Sequence, residues 1–123
     1  MCHEVTLKNT AILLLSFLSA FVQAEVLVTP SAKATIVQQC VEGEVTCSKV
    51  KLELLELSSG STVHAYGKTL HSTCSDGITP CAFQGWEFYN RTGLAAIIIT
   101  QSGTVTMLNS EGEVTFEESG KWK

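Results

Sequence analysis

Four cysteines in two evenly spaced pairs constrain this chain more than any other feature. Six residues separate Cys40 from Cys47, and six separate Cys74 from Cys81. A fifth, Cys2, lies in an N-terminal segment that reads as a removable export signal. Ala11–Val22 is a run of twelve residues that is apolar apart from serine. That length suits the apolar core of a signal peptide and falls short of the about 20 apolar residues a helical membrane span needs. Val22 and Ala24 supply the small side chains a signal peptidase accepts, so cleavage is expected after Ala24, although Lys8 and the amino terminus make only a weakly basic start against Glu4. Residues 1–24 are thus read as the signal and 25–123 as one domain, of the length a single core can stabilise.

Loss of Cys2 leaves an even set, which in a small exported chain reads as a disulfide framework. Four cysteines allow three connectivities. Cys40–Cys47 and Cys74–Cys81 are favoured because each pair flanks a turn-like segment. Closing each short loop contributes about 2.5 kcal/mol in the chain-entropy model. Zinc is the competing use of four cysteines. Zinc pairs are usually spaced two to four residues apart, however, and thiols in an oxidising compartment are consumed by pairing. The absence of C-x-x-C removes support for a thioredoxin-like redox role.

Charge narrows the partner class. Glu4 and Lys8 cancel, so the mature part keeps the whole chain's formal charge of −4. Seven scattered Lys and Arg residues then offer no basic stripe for phosphates, which argues against nucleic acid and against an electrostatic dock on an anionic membrane. No second apolar run is long enough to span a bilayer as a helix.

Past Glu25 the hydrophobic pattern has mostly period two, broken by Gly, Ser, Asn and Asp clusters, as in antiparallel strands joined by turns. Strands are expected at Glu25–Thr29, Ala34–Cys40, Lys49–Leu57, Thr62–Leu70, Phe83–Tyr89, Leu94–Thr100, Thr104–Leu108 and Glu113–Glu118, with a turn at Glu42-Gly43-Glu44. A helix competes only at Lys49–Leu57, where Val50, Leu54 and Leu57 also share a helical face; the alternation of Lys49, Lys51 and Glu53 with Val50, Leu52 and Leu54 favours a strand. Ala95–Ile99 is continuously apolar and suits a strand covered on both faces. The fold class expected is all-β: a small antiparallel barrel or sandwich of about seven or eight short strands, stapled by disulfides.

Side chains for catalysis are scarce. The mature part has two histidines, His64 and His71, both expected on exposed strand positions, and one aspartate, Asp76. It contains no G-x-S-x-G elbow, H-E-x-x-H, phosphate-cradling glycine loop or dinucleotide fingerprint. Its glutamates sit mainly at turns or on the polar side of alternating strands. No catalytic residue, metal or cofactor is assigned.

Binding features are better represented. Trp86 and Phe88 share a face and suit the core, while Glu87 and Tyr89 face the other way. Tyr89 and Trp122 are candidate exposed anchors, since aromatic rings give large contact area at low entropic cost. Asp76 and Ile78, in the loop between Cys74 and Cys81, are further candidate contacts, because a disulfide across a loop's base reduces the ordering cost of binding. Trp86 with Tyr89 is the candidate platform for a carbohydrate or other ligand, and Glu87 or His71 the candidate centre of a small hydrolase. Asn90-Arg91-Thr92 is an N-glycosylation sequon on an expected turn, relevant only in a eukaryote.

The leading expectation is an exported, non-enzymatic binding protein of the bacterial periplasm or extracellular space, acting on another protein as an inhibitor or immunity-type partner. In size and style, as an exported, acidic, disulfide-stapled β domain, it broadly resembles bacterial periplasmic lysozyme inhibitors, though their signature residues are not matched here. Intact-mass measurement of the exported protein checks the premise. The mass should lack residues 1–24, and reduction should add two hydrogens for each of two bridges.

Overall fold

The computed structural model describes residues 23–41 and 44–123. The expected signal segment up to Val22, and Glu42 and Gly43 of the expected turn, lie outside the described residues. Nine strands are found among the described residues: β1 (Gln23–Val28), β2 (Ala32–Gln38), β3 (Val50–Glu56), β4 (Thr62–Thr73), β5 (Pro80–Asn90), β6 (Gly93–Ile99), β7 (Thr104–Leu108), β8 (Val114–Ser119) and β9 (Lys121–Trp122). All pair antiparallel in one sheet, in the order β8-β7-β6-β5-β4-β3-β2-β1-β9. The two edges, β8 and β9, are consecutive pieces of one extended segment joined at Gly120, so the sheet rolls into a nearly closed barrel.

The period-two pattern sets which side chains fill it. Leu27 of β1 lies opposite Ala34 of β2. Ala34 faces Leu54, and Ile36 faces Leu52. Leu52 faces Ala65, Phe88 faces Ala96, and Trp86 faces Ile98, which faces Val105. All of these residues are buried, with Trp86 and Phe88 the largest of them. Burying side chains of this kind is worth about 1.5–3 kcal/mol each, and it is the main drive to close the sheet. Gly67 lies opposite Phe88, where a Cβ would strike the backbone of Glu87 and Phe88. The absence of a side chain there lets β4 and β5 approach at the point where Phe88 turns into the core. Register shifts at Leu70/His71, Phe88/Tyr89 and Met107/Leu108 supply local bends of the kind that curve a sheet.

The seam is stitched by polar contacts. Gly120 donates its N–H to the Gly103 carbonyl at 2.8 Å, and Gly103 sits at φ 63°, a conformation that favours glycine. Lys121 and Trp122 pair with Val28 and Leu27. Ser31, in the β1–β2 turn, donates its N–H (3.0 Å) and hydroxyl (2.5 Å) to the Glu118 carboxylate of β8. These donors hold the Glu118 carboxyl below its ordinary pKa.

The strand favoured at Lys49–Leu57 forms as β3, which pairs on both sides. Other expectations are corrected. β4 runs to Thr73 and β5 starts at Pro80, both beyond the expected bounds. β6 is a barrel wall and not a strand between two layers: Ala96 and Ile98 face inward, while Ile97 faces outward between Glu87 and Thr106 and is half-buried. β9 was not foreseen, and with it Trp122 changes role. Trp122 packs edge-on against Trp86 at 6.0 Å between ring centroids and donates its indole N–H to the Thr100 carbonyl at 2.9 Å. It closes the seam and is not an exposed anchor. Trp122→Ala should therefore lower the unfolding free energy by about 3 kcal/mol in urea titration, whereas Tyr89→Ala, on the outer face, should change it by no more than about 0.5 kcal/mol.

Candidate functional site

Antiparallel order puts the β2–β3 and β4–β5 connections at the same end of the barrel. These two connections carry the disulfides, Cys40–Cys47 and Cys74–Cys81, paired as expected, with Cα atoms 5.7 and 5.2 Å apart. The two staples differ in setting. Cys47 is buried and Cys40 packs against the core, so the first bridge extends the hydrophobic interior. Cys74 is half-buried and Cys81 exposed, so the second bridge braces the loop alone.

Thr69 clamps the first loop to the wall. Its N–H donates to the Cys47 carbonyl at 2.8 Å, and its hydroxyl accepts from the Cys47 N–H at 2.9 Å. In the second loop Asp76 organises the backbone: its carboxylate accepts the N–H groups of Ile78 and Thr79, both at 2.9 Å, and the Thr79 hydroxyl. The Cys74 N–H donates to the Thr79 carbonyl at 2.8 Å across the loop's base. With all these bonds made to the charged form, led by that from the Thr79 hydroxyl, the Asp76 carboxyl is held down at about 2. Asp76 thus shapes the loop's backbone while its carboxylate remains at the surface.

What this braced backbone presents is apolar. Ile78 is 84% exposed at the tip of the second loop, and Val41 and Val45 are 74% and 71% exposed on the first. Apolar side chains on fixed backbone at one end of a barrel are a docking arrangement that costs little further ordering. A groove of about 370 Å³ runs between the loops, with Cys47, Ser48, Ile78 and Pro80 along its sides and Thr69 and His71 beneath.

His71 departs from expectation. His64 is exposed opposite Glu53, but His71 is half-buried on the inner face. Its Nε2 lies 3.0 Å from the Thr69 hydroxyl, and its Nδ1 is buried and meets no hydrogen-bond partner among the described residues. Its ring meets Phe83 edge-on at 5.7 Å, and Phe83 meets Trp86 at 5.2 Å, which continues the aromatic row from the groove to the core. Glu87 also borders the groove but faces outward, in a 3.5 Å salt bridge with Lys68. His71 and Glu87 thus both line the groove, on either side of the register shift at Leu70/His71. No group of three or more His, Cys, Asp or Glu side chains among the described residues could hold a metal ion.

The remaining candidates separate cleanly. Trp86 is fully buried and out of reach of any ligand, so the Trp86/Tyr89 platform does not form: the two rings are on opposite faces. Tyr89 is exposed on the outer wall as expected, opposite an exposed Tyr66, with the Lys68 ammonium 6.0 Å from the Tyr89 ring centroid. Desolvation, and then Glu87, raise the Tyr89 hydroxyl above its ordinary pKa. Asn90 of the sequon sits in the β5–β6 turn, its side-chain oxygen accepting from the Thr92 N–H at 2.9 Å. Sequence reasoning missed Tyr66, Val41 and Val45. The alternation that put Val63 and Ala65 on one face carried the signal for Tyr66 on the other. The valines carried only their place in a stapled loop.

Compared with protein-family models, curated proteins and solved structures, the chain matches none.

The Asp76 carboxyl provides a pH test of the loop. Its folded pKa of about 2 lies below the ordinary carboxylate value of about 3.9, so its ordering effect is complete above about pH 4 and is lost as pH falls towards and through 2. NMR titration should show the Ile78 and Thr79 amide signals moving over that window in the native protein and staying still in Asp76→Asn.

Proposed function

We propose that this protein is an exported, non-enzymatic binding protein that engages another protein through the stapled-loop end of its barrel, in the manner of an inhibitor or immunity partner. The two disulfides fit an oxidising, extracytoplasmic environment. Residues 1–24 supply the export signal in this reading, to the periplasm or the extracellular space.

One observation carries the proposal. Both disulfides brace loops at the same end, and those loops expose Val41, Val45 and Ile78, with Thr69 bonded to Cys47 of the first loop and Asp76 to the backbone at Ile78 in the second. Apolar side chains exposed on rigid loops lose little entropy on binding, so more of the contact energy appears as affinity. A protein surface suits these contacts better than nucleic acid, because the formal charge of −4 opposes phosphates. The hydrolase alternative would have to use Glu87, held by Lys68, or His71, beneath Thr69.

Affinity capture from the extracytoplasmic fraction with the immobilised mature domain tests this. A specific protein should be retained by the native domain and lost, at least about tenfold, with Ile78→Asp or with Cys74 and Cys81 both changed to serine. An aspartate at the centre of an apolar contact costs more than about 1.4 kcal/mol, which is that tenfold factor. Retention unchanged by Ile78→Asp would overturn the assignment of the loop end.

A further inference from the structure

The opposite end of the barrel has a different character and stands independently of the loop-end reading. There the β1–β2 and β3–β4 turns are tied together by the Leu57 N–H, which donates to the Ser31 carbonyl at 3.0 Å. Beneath them the interior is unfilled. A cavity of about 490 Å³ opens at this mouth, walled by Ala32, Leu54, Val63, Met107 and Phe116. The volume falls within the about 300–1,000 Å³ of small-molecule sites, which favour the mouths of β-barrels.

Val63 shows that this is a gap in the interior and not a patch on the outer wall. It shares the inward-facing register, opposite Leu54 and two residues before buried Ala65, and yet it is 49% exposed. Across the mouth, Met107 and Phe116 face each other in register and pack only partly against the core. Five apolar side chains therefore converge on a space that the described residues do not fill.

The polar groups of the rim define the headgroup. Glu56 lines the mouth, with one carboxylate oxygen accepting the Ser58 hydroxyl at 3.0 Å. Ser31 also lines the mouth, but its N–H and hydroxyl are spent on the Glu118 carboxylate, which leaves Glu56 as the carboxylate lining the cavity. Among the described residues no Lys or Arg lines it, and Lys33, close along the chain, points away from it, opposite Leu55 on the outer face. We infer that this mouth is a binding site for a small amphiphile with an apolar chain and a cationic head, such as an alkyl ammonium, the chain lying against Val63, Met107 and Phe116 and the head beside Glu56.

The test is an NMR titration of the full mature protein with dodecylammonium and, separately, dodecanoate, both below their micelle concentrations. Dodecylammonium should shift the Met107 methyl and Phe116 ring signals saturably, and it should bind about two- to fivefold more tightly than dodecanoate, the range expected of one partly exposed ion pair. Glu56→Gln should remove that preference while leaving chain binding intact. Val63→Arg, at a half-exposed site that accommodates a longer side chain, should abolish dodecylammonium binding with the spectrum of the barrel otherwise preserved. Three results would each overturn the inference: shifts confined to residues away from the mouth, a head preference that persists in Glu56→Gln, or a Met107 signal that moves with protein concentration alone, which would show that a second copy covers the mouth. None of these results bears on capture through the loop end, so the two proposals fail separately.

Discussion

A nine-stranded sheet with free edges would leave two rows of backbone donors and acceptors unpaired, and here the last extended segment brings the two edges together and covers part of them. Val114–Ser119 pairs with β7, and Lys121–Trp122 pairs with β1. Gly120 lets the chain pass between them, because a Cβ there would meet the Val28 carbonyl. Everything inside depends on that crossing. Trp86 is buried because Trp122 covers its edge, and Trp122 stays in place because Thr100 accepts its indole N–H. Closing a sheet both satisfies the backbone and dries the core.

The closed wall then divides the molecule into two unlike ends. At one end the chain spends its cysteines on holding loops whose tips expose Ile78, Val41 and Val45. At the other end the connections are short turns, and the interior stops before the rim, leaving Val63 and Phe116 around a cavity. The difference follows from side-chain size. The aromatic row of His71, Phe83, Trp86 and Trp122 fills the barrel towards the loop end, whereas Ala32 and Ala34 leave room near the other mouth.

Much of the architecture was legible locally. Alternation placed eight strands, because one buried face forces a two-residue period. The equal cysteine spacings implied the two bridges, because a short loop brings its own ends together. Where reading failed, the deciding contact was distant in sequence. β9 is two residues long and has no period to detect, and it forms only because Leu27 and Val28 are waiting beside it. His71 looked like an exposed strand residue, yet Phe83 and Thr69 draw it half inside. That Asp76 also orders its own loop, accepting three donors, could not be read from its place between the cysteines.

The cysteines show where the boundary lies. By itself the sequence determined an even set of four cysteines in two equal spacings, which favoured Cys40–Cys47 and Cys74–Cys81 among three connectivities, and strands that alternate inside and outside, since spacing and periodicity are local quantities. Only the tertiary structure decided that the two stapled loops stand side by side at one end of a barrel, that Trp122 seals a seam, and that the far mouth is left open. Those outcomes rest on strand order and register. Register is fixed by the summed packing of side chains from β1 to β9, a sum that no single stretch of sequence contains.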